Sequence, residues 1–169
     1  MTAIDAVIRP AVPADLGAVA EIYGHYVRDT VATFDETPPP PAVWQQRFED
    51  LAAQGLPFLV AEASGEVVGY AYAAPWRPKP AYRHSAENSI YLAPTHTGRG
   101  LGGALLEALL AACAETHLRQ VIAVIADFGT DASVALHRRY GFTDAGRLTA
   151  VGFKHGRWID TVLMQRALG

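Results

Sequence analysis

Four glycines in the middle of the chain, Gly98, Gly100, Gly102 and Gly103, lie between a short apolar run and a helix-forming run. Glycine lets the backbone turn several N–H groups toward one point, because no side chain obstructs them. The first turn of the following helix adds unpaired N–H donors and the positive end of the helix dipole. The order of strand, glycine loop and helix therefore predicts a binding site for phosphate groups.

Two known phosphate-binding patterns can be compared with this loop. The Walker pattern requires Gly-Lys followed by Ser or Thr at the helix start, and it is excluded because Leu and Gly follow Gly100. The dinucleotide pattern G-x-G-x-x-G is present at Gly98, Gly100 and Gly103, although residues 93–97 separate it from the strand. A nicotinamide- or flavin-dependent oxidoreductase therefore stays open as an alternative, as does a glycine-rich helix entry without a ligand.

The composition limits the classes of protein that fit. The chain has 169 residues, 50% of them hydrophobic and 18% charged, which is typical of one globular domain spanning residues 1–169. A net charge of −3 without a block of Lys or Arg disfavours a nucleic-acid partner, and no apolar stretch reaches the length of a membrane span. The N-terminal residues lack the features of a signal peptide, and the single cysteine, Cys113, excludes a disulfide within the chain. We therefore expect a cytoplasmic protein with Cys113 in its core.

The spacing of apolar residues predicts strands and helices along the whole chain. Strands are expected at about residues 6–9, 57–63, 67–74, 88–92, 121–125, 143–153 and 158–164, and helices at about residues 13–27, 44–51, 104–111 and 131–141. The wholly apolar run 121–125 indicates a strand covered on both faces. Ser64-Gly65 and His155-Gly156 are hairpin turn signals, whereas the helical connections around the fourth and fifth strands favour a parallel pair. These features predict an α/β fold of the α+β type, with a mixed sheet and helices on both faces.

Several segments resemble one branch of the Gcn5-related N-acetyltransferase superfamily (GNAT), the phosphinothricin and methionine sulfoximine N-acetyltransferases. The most specific segment reads Gly-Phe-Lys-His-Gly-x-Trp-x-Asp at residues 152–160, and the others are residues 74–76, 81–82, 86–87, 90–91, 100–102 and 124–125 and His137. The coenzyme A pattern of this superfamily, Gln/Arg-x-x-Gly-x-Gly/Ala, is matched at residues 97–102 with Thr97 in its first position. The resemblance implies a GNAT-type acyl-CoA N-acyltransferase fold, whose sheet is predominantly antiparallel with a parallel pair at the cofactor site.

The resemblance also implies the reaction. Acetyl-CoA would be the donor, no metal would be required, and the acceptor would be the amino group of a small amino acid or analogue such as phosphinothricin or methionine sulfoximine. The same resemblance implies a homodimer. A catalytically silent acyl-CoA-binding module would keep the coenzyme pattern and is a further alternative.

Acetyl transfer from a thioester to an amine requires a neutral amine, a stabilised oxyanion and a proton for the departing thiolate. By resemblance, Glu87 is the general base that takes the proton of the amine, and the alternative is a strand-edge carboxylate that faces solvent. By the same resemblance, His137 would be the group that protonates the departing thiolate, since imidazole titrates near neutral pH. Its alternative role is that of a helix histidine bonded to a carbonyl group. A backbone N–H near Leu92 would stabilise the oxyanion.

Binding residues follow from the same resemblance. Coenzyme contacts are expected on the fourth strand, in the glycine loop and before the last helix, at Ile90, Tyr91, Leu92, Gly98, Arg99, Gly100, Leu101, Gly102, Gly103 and Thr130. Thr130 or Asp131 is also expected to cap that helix. Acceptor binding is expected in two irregular segments, at Phe34, Arg77, Lys79 and Tyr82, where the two basic residues would bind an anionic group. Lys154 and His155 at the last turn have three open roles, in the structure, in the dimer contact or at the mouth of the acceptor site.

Overall fold

The computed structural model describes residues 5–169. Residues 1–4, on which the expectation of no signal peptide partly rests, lie outside the described part. The strands are β1 Ala6–Pro10, β2 Phe58–Ala63, β3 Glu66–Pro75, β4 Ser85–Leu92, β5 Gln120–Asp127, β6 Thr143–Lys154 and β7 Arg157–Ala167. The helices are α1 Leu16–Asp29, α2 Pro41–Ala53, α3 Leu101–Ala114 and α4 Ala132–Arg139. Within residues 5–169, no helix is long and apolar enough to cross a membrane.

In the described part of the chain, seven strands form one sheet in the order β1-β2-β3-β4-β5-β7-β6. Neighbouring strands are antiparallel except for β4 and β5. This parallel pair is short, because only residues 85–87 of β4 pair with residues 120–122 of β5. Beyond Glu87 the two strands separate, and β4 continues to Leu92 paired with β3 alone. The predicted sheet, mostly antiparallel with one parallel pair, is confirmed.

The side chains of β3 alternate between two helical layers, since successive residues of a strand point to opposite faces. Tyr70 packs edge-on against Trp44 of α2, with 5.8 Å between ring centroids, so α2 and its neighbour α1 cover this face. On the opposite face, a Cβ placed on Gly69 would lie 3.1 Å from Leu105 of α3. The predicted helices on both faces are therefore present, while the assignment of residues 1–169 to a single domain stays a prediction.

Both predicted hairpin turns have the backbone conformation that their residues favour. Ser64 and Gly65 have φ values of 52° and 78°, and His155 and Gly156 have φ values of 52° and 73°. Two consecutive residues with positive φ are typical of the type I′ turn, whose twist matches that of the flanking strands. The second turn thereby fixes the register of β6 and β7 at the tip of their hairpin.

Three details near the middle of the sheet differ from the predictions. β4 begins at Ser85 rather than near residue 88, because its first residues pair with β5. α3 begins at Leu101 rather than at residue 104, because the buried side chain of Leu101 anchors the first turn directly after Gly100. The expectation that β5 is covered on both faces is wrong: Val124 is 38% exposed, because β4 has already separated from β5 at this level.

Candidate active site

The separation of β4 and β5 opens a cavity of about 870 Å³, which we call the β4–β5 cavity. Both strands, the glycine loop and α4 contribute to its walls. Eight of the residues predicted to bind the coenzyme line it: Ile90, Tyr91, Leu92, Gly98, Gly100, Gly102, Gly103 and Thr130. The other two do not, since Arg99 is exposed and Leu101 is buried in the core.

The glycine loop has the backbone that a phosphate site requires. Gly98 and Gly100 have φ values of 72° and 82°, which only glycine adopts without strain. The first hydrogen bond of α3 runs from the Ala104 N–H to the Gly100 carbonyl, at 3.2 Å. The N–H groups of residues 101–103 therefore have no partner inside the helix. A Cβ on Gly103 would lie 2.7 Å from the Tyr140 hydroxyl, so glycine also allows the side chain of Tyr140, the residue after α4, to pack closely here.

Two threonines belong to the predicted coenzyme site, Thr97 as the first residue of the coenzyme A pattern and Thr130 as an expected contact. Thr97 donates its hydroxyl hydrogen to the Pro94 carbonyl at 3.3 Å, within the loop itself. The Thr130 hydroxyl accepts a hydrogen bond from the Ala132 N–H at 3.2 Å, and Asp131 makes no such bond. Asp131 therefore occupies the N-cap position of α4 without a capping bond from its side chain, whereas Thr130, one residue earlier, bonds the N–H of the first helical residue and lines the cavity as well.

Glu87 is the last residue of β4 that pairs with β5. Strand alternation places its side chain on the same face as Tyr91, which packs against Tyr23 of α1 at 5.2 Å. Glu87 also lines the β4–β5 cavity, so its carboxylate stands where the cavity meets the α1–α2 face. Partial burial raises the pKa of Glu87, and the charge of Arg77 offsets part of this increase. A raised pKa makes the carboxylate a better proton acceptor.

His137 is buried, and both nitrogens of its ring have partners. Nδ1 lies 2.7 Å from the Ser133 carbonyl oxygen, so Nδ1 carries the hydrogen and donates it. Nε2 then accepts a hydrogen bond from the Asn88 side-chain amide at 2.9 Å. Burial lowers the pKa of His137, which favours this neutral form. The carbonyl bond of the alternative interpretation is thus present, and proton donation by His137 stays a prediction.

Asn88 is a site residue that the sequence analysis missed. It follows Glu87 on β4, points to the opposite face and is buried against His137, which lies 49 residues later. The available signal was an amide side chain inside a strand, because a buried amide requires hydrogen-bonding partners. The bond between Asn88 and His137 holds α4 against β4 and so fixes one wall of the cavity.

The residues predicted to bind the acceptor lie outside the β4–β5 cavity. Arg77 lies close enough to Glu87 to lower its pKa, and its guanidinium stacks on the Trp76 ring at 4.7 Å. Lys79 and Tyr82 are exposed, at the 3₁₀ turn Pro80–Tyr82. The structure therefore brings Arg77 toward Glu87, whereas Lys79 and Tyr82 stay at the surface.

Phe34, the remaining predicted acceptor residue, belongs to residues 30–36 between α1 and α2, which we call the acceptor loop after the prediction that it binds the acceptor. The Tyr23 hydroxyl holds this loop, since it lies 2.7 Å from the Thr33 hydroxyl and donates to the Asp35 carboxylate. Burial raises the pKa of Tyr23, so the hydroxyl remains a donor. Because Tyr23 also packs against Tyr91, the acceptor loop lies on the same face of the sheet as Glu87.

Comparison with known proteins agrees with this arrangement. Residues 19–142 match the model of the acetyltransferase (GNAT) family. The phosphinothricin N-acetyltransferase of Alcaligenes faecalis is 49% identical over 154 residues, covering 91% of this chain and 78% of that protein. The L-methionine sulfoximine/L-methionine sulfone acetyltransferase of Pseudomonas aeruginosa is 42% identical, covering 96% of this chain and 94% of that protein.

A solved structure shares the whole fold. It is a GNAT superfamily phosphinothricin acetyltransferase from Sinorhizobium meliloti in complex with acetyl-CoA, with a TM-score of 0.93 and 48% identity. The match covers 97% of this chain and 89% of that one. With its parallel strand pair, its glycine loop and these relatives, the chain belongs to the acetyltransferase (GNAT) family.

Proposed function

We propose that the protein transfers the acetyl group of acetyl-CoA to the amino group of a small amino acid or analogue, of the class that includes phosphinothricin and methionine sulfoximine. The observation that carries the proposal is the position of Glu87, at the edge of a cavity that also contains the glycine loop. The names of the relatives from Alcaligenes and Pseudomonas support the acceptor class.

The residues present fit the donor. The N–H groups of residues 101–103 and the left-handed Gly98 and Gly100 form a cradle for its diphosphate, and the donor supplies an activated acetyl group as a thioester. The end of β4 is fixed because the Tyr26 hydroxyl donates to the Leu92 carbonyl at 2.5 Å. This supports the proposal that a backbone N–H near Leu92 stabilises the oxyanion.

Glu87 acts as the general base in this proposal. It accepts a proton from the acceptor ammonium, directly or through water, so that the neutral amine can attack the thioester carbonyl. Arg77 and Lys79 supply positive charge on the acceptor side, which suits a carboxylate or phosphinate group. Protonation of the departing thiolate by His137 is a separate prediction with its own test.

The experiment is a thiol-release assay with acetyl-CoA and a panel of acceptors that contains phosphinothricin, methionine sulfoximine, common amino acids and polyamines. We expect release with the two amino acid analogues, which both carry a carboxylate, and none with polyamines, because Arg77 and Lys79 repel a polycation. Thermal shifts with acetyl-CoA, NAD and NADP run in parallel. Stabilisation by a nicotinamide nucleotide alone would favour the oxidoreductase alternative, and stabilisation by acetyl-CoA without thiol release would favour a silent binding module.

The cytoplasmic location stays a prediction.

We also propose that the protein forms a homodimer. Edge strand β6 and its partner β7 expose large apolar side chains, with Trp158 69% exposed and Leu148, Val151 and Phe153 about half exposed. An apolar sheet edge of this kind is typical of an interface between subunits. In light scattering after size exclusion, Trp158→Ser should shift the protein toward the monomer. Val7→Ser at the opposite edge of the sheet is the control, and an unchanged mass for Trp158→Ser would contradict the proposal.

A further inference from the structure

The hairpin of β6 and β7 contacts the acceptor loop although the two are more than a hundred residues apart in sequence. A small second core joins them, formed by Val31 of the loop with Ala126 and Ile159 of β5 and β7. At the tip of the hairpin, the Lys154 ammonium donates to the Thr33 carbonyl at 2.8 Å, across 121 residues. The acceptor loop is therefore held from beneath by Tyr23 and from the side by this hairpin.

Lys154 is unusual for a lysine, because it is only 2% exposed. It forms no ion pair within residues 5–169, so its hydrogen bond to Thr33 is the polar contact that the structure gives it. Burial lowers the pKa of Lys154, and the nearby charges of Asp35 and Glu36 oppose this. Both carboxylates belong to the segment after Thr33, so the electrostatic partners of Lys154 lie there as well.

Gly152 makes the second contact of the hairpin with the loop. A Cβ on Gly152 would come within 2.9 Å of three ring atoms of Phe34, so the ring rests directly on the backbone of β6. Gly152 is buried and pairs with Ile159, the residue that reaches the second core. Any side chain at position 152 would force the ring of Phe34 to move.

The register of the hairpin explains how these residues reach the loop. The pairing of β6 with β7 shifts between Leu148 and Gly152. This bulge contains Ala150 at a φ of 51°, whose N–H donates to the Asp160 carboxylate at 2.7 Å. Arg147 binds the same carboxylate at 2.9 Å. Asp160 therefore stabilises the bulge, and the most specific motif of the sequence folds into one support for the acceptor loop.

From these contacts we infer that Lys154 is a positioning residue for the acceptor, and that Gly152 determines acceptor specificity by setting the place of the Phe34 ring. The inference rests on the proposed function, because it assigns the loop to acceptor binding. Among the three roles left open for Lys154, the geometry selects the acceptor side, and it acts through the Thr33 backbone rather than by touching the acceptor.

The first experiment compares Lys154→Met with Arg157→Met, which removes a positive charge from an exposed position of the same hairpin. Thiol release is measured against acceptor at saturating acetyl-CoA, and against acetyl-CoA at saturating acceptor. Lys154→Met should raise the KM of the acceptor by about tenfold or more, the effect of losing a hydrogen bond to a charged group, with the KM of acetyl-CoA nearly unchanged. Arg157→Met should change neither. An unchanged acceptor KM in Lys154→Met, or an equal rise for both substrates, would overturn the inference.

The second experiment is a double-mutant cycle of Gly152→Ala and Phe34→Ala, read as acceptor selectivity and as melting temperature. Gly152→Ala should change selectivity and lower the melting temperature in the wild-type background, and it should do neither once Phe34 is alanine. Additive effects would overturn the role of Gly152. If the wild type releases no thiol with any acceptor, the proposed function fails, while the contact between hairpin and loop is still tested by the melting temperatures of this cycle.

Discussion

Replacement of Glu87 by glutamine tests the proposed reaction most directly. Glutamine keeps the size and shape of the side chain beside Tyr91, but it cannot accept the proton of the acceptor amine. A positioned general base contributes about 10²- to 10⁴-fold to the rate, which corresponds to about 2.7–5.4 kcal/mol at about 1.36 kcal/mol per tenfold change. We expect kcat/KM for the acceptor to fall by this factor. The affinity for acetyl-CoA should not change, because other residues form its cradle.

The raised pKa of Glu87 also predicts a pH dependence. The base must be ionised, so kcat/KM of the wild type should fall as the pH drops through the pKa of Glu87, which burial places above its ordinary value. The wild type can use the protonated acceptor, because Glu87 takes its proton. Glu87→Gln should lose the dependence on the pKa of Glu87, and its remaining rate should rise with pH as the free acceptor amine loses its proton. Thiol-release rates across a pH series separate the two.

The same pKa predicts an effect on stability with a defined sign. Because the pKa of Glu87 is raised in the folded protein, folding favours its protonated form. This contribution is complete below the pKa of the unfolded chain, near about 4.3, and is lost as the pH rises through the pKa of the folded state. At neutral pH the wild type therefore carries a partly buried charge that the variant lacks. Glu87→Gln should melt at a higher temperature than the wild type at neutral pH, and the difference should disappear in acid.

Two results would refute this reasoning. If Glu87→Gln acetylates as well as the wild type between about pH 6 and 9, Glu87 is not the base. If the variant loses activity and also melts at a lower temperature at neutral pH, Glu87 has a structural role instead. Glu107→Gln is the matched control, since Glu107 is an exposed carboxylate on α3, and it should change neither measurement.

The remaining predictions concern α4, the glycine loop and the core. His137→Leu should destabilise the protein by about 1–3 kcal/mol in denaturant unfolding, because it leaves the buried Asn88 amide without its acceptor. Adding Asn88→Leu should recover part of this lost stability. A double variant that melts normally but loses more than about 10²-fold in kcat would assign proton donation to His137. Gly103→Ala should cost about 1–3 kcal/mol through its clash with Tyr140 and weaken the thermal shift by acetyl-CoA. Unchanged stability would contradict the close packing, and an unchanged shift would contradict coenzyme binding at this loop. Cys113 is fully buried, and burial raises the pKa of its thiol to about 12. A disulfide reagent should therefore detect this thiol only after unfolding. Labelling of the native protein would contradict its burial.

Local chemistry explains which parts of the fold were predictable. The two hairpin turns, at Ser64-Gly65 and His155-Gly156, were predicted because their residues tolerate positive φ. The conformation of the glycine loop was predicted for the same reason, since Gly98 and Gly100 tolerate positive φ as well. The apolar run of β5 was misread because burial by protein and exposure to an apolar cavity favour the same residues, and Val124 lines the cavity.

Long-range contacts explain what the sequence did not reveal. Asn88 and His137 are 49 residues apart, and each looks like an isolated polar residue until the strand and the helix pack together. Thr33 and Lys154 are 121 residues apart, and no local periodicity relates them. The motif that contains Lys154 was recognised by resemblance, yet its physical role became visible only with the acceptor loop beside it.

These two kinds of contact divide the site into halves that should evolve differently. In the proposed function the donor half consists of backbone N–H groups in one continuous segment, so we expect it to tolerate changes such as Thr97 where the family pattern has Gln or Arg. The proposed acceptor half would depend on side chains from the loop, from β4 and from the distant hairpin. A methylene in such a pocket changes selectivity by only about 1–3 kcal/mol. A change of acceptor should therefore arise first at Phe34 or at Gly152, because a side chain at position 152 displaces the Phe34 ring. A selection for a new acceptor that returned changes only in the donor half would contradict this division.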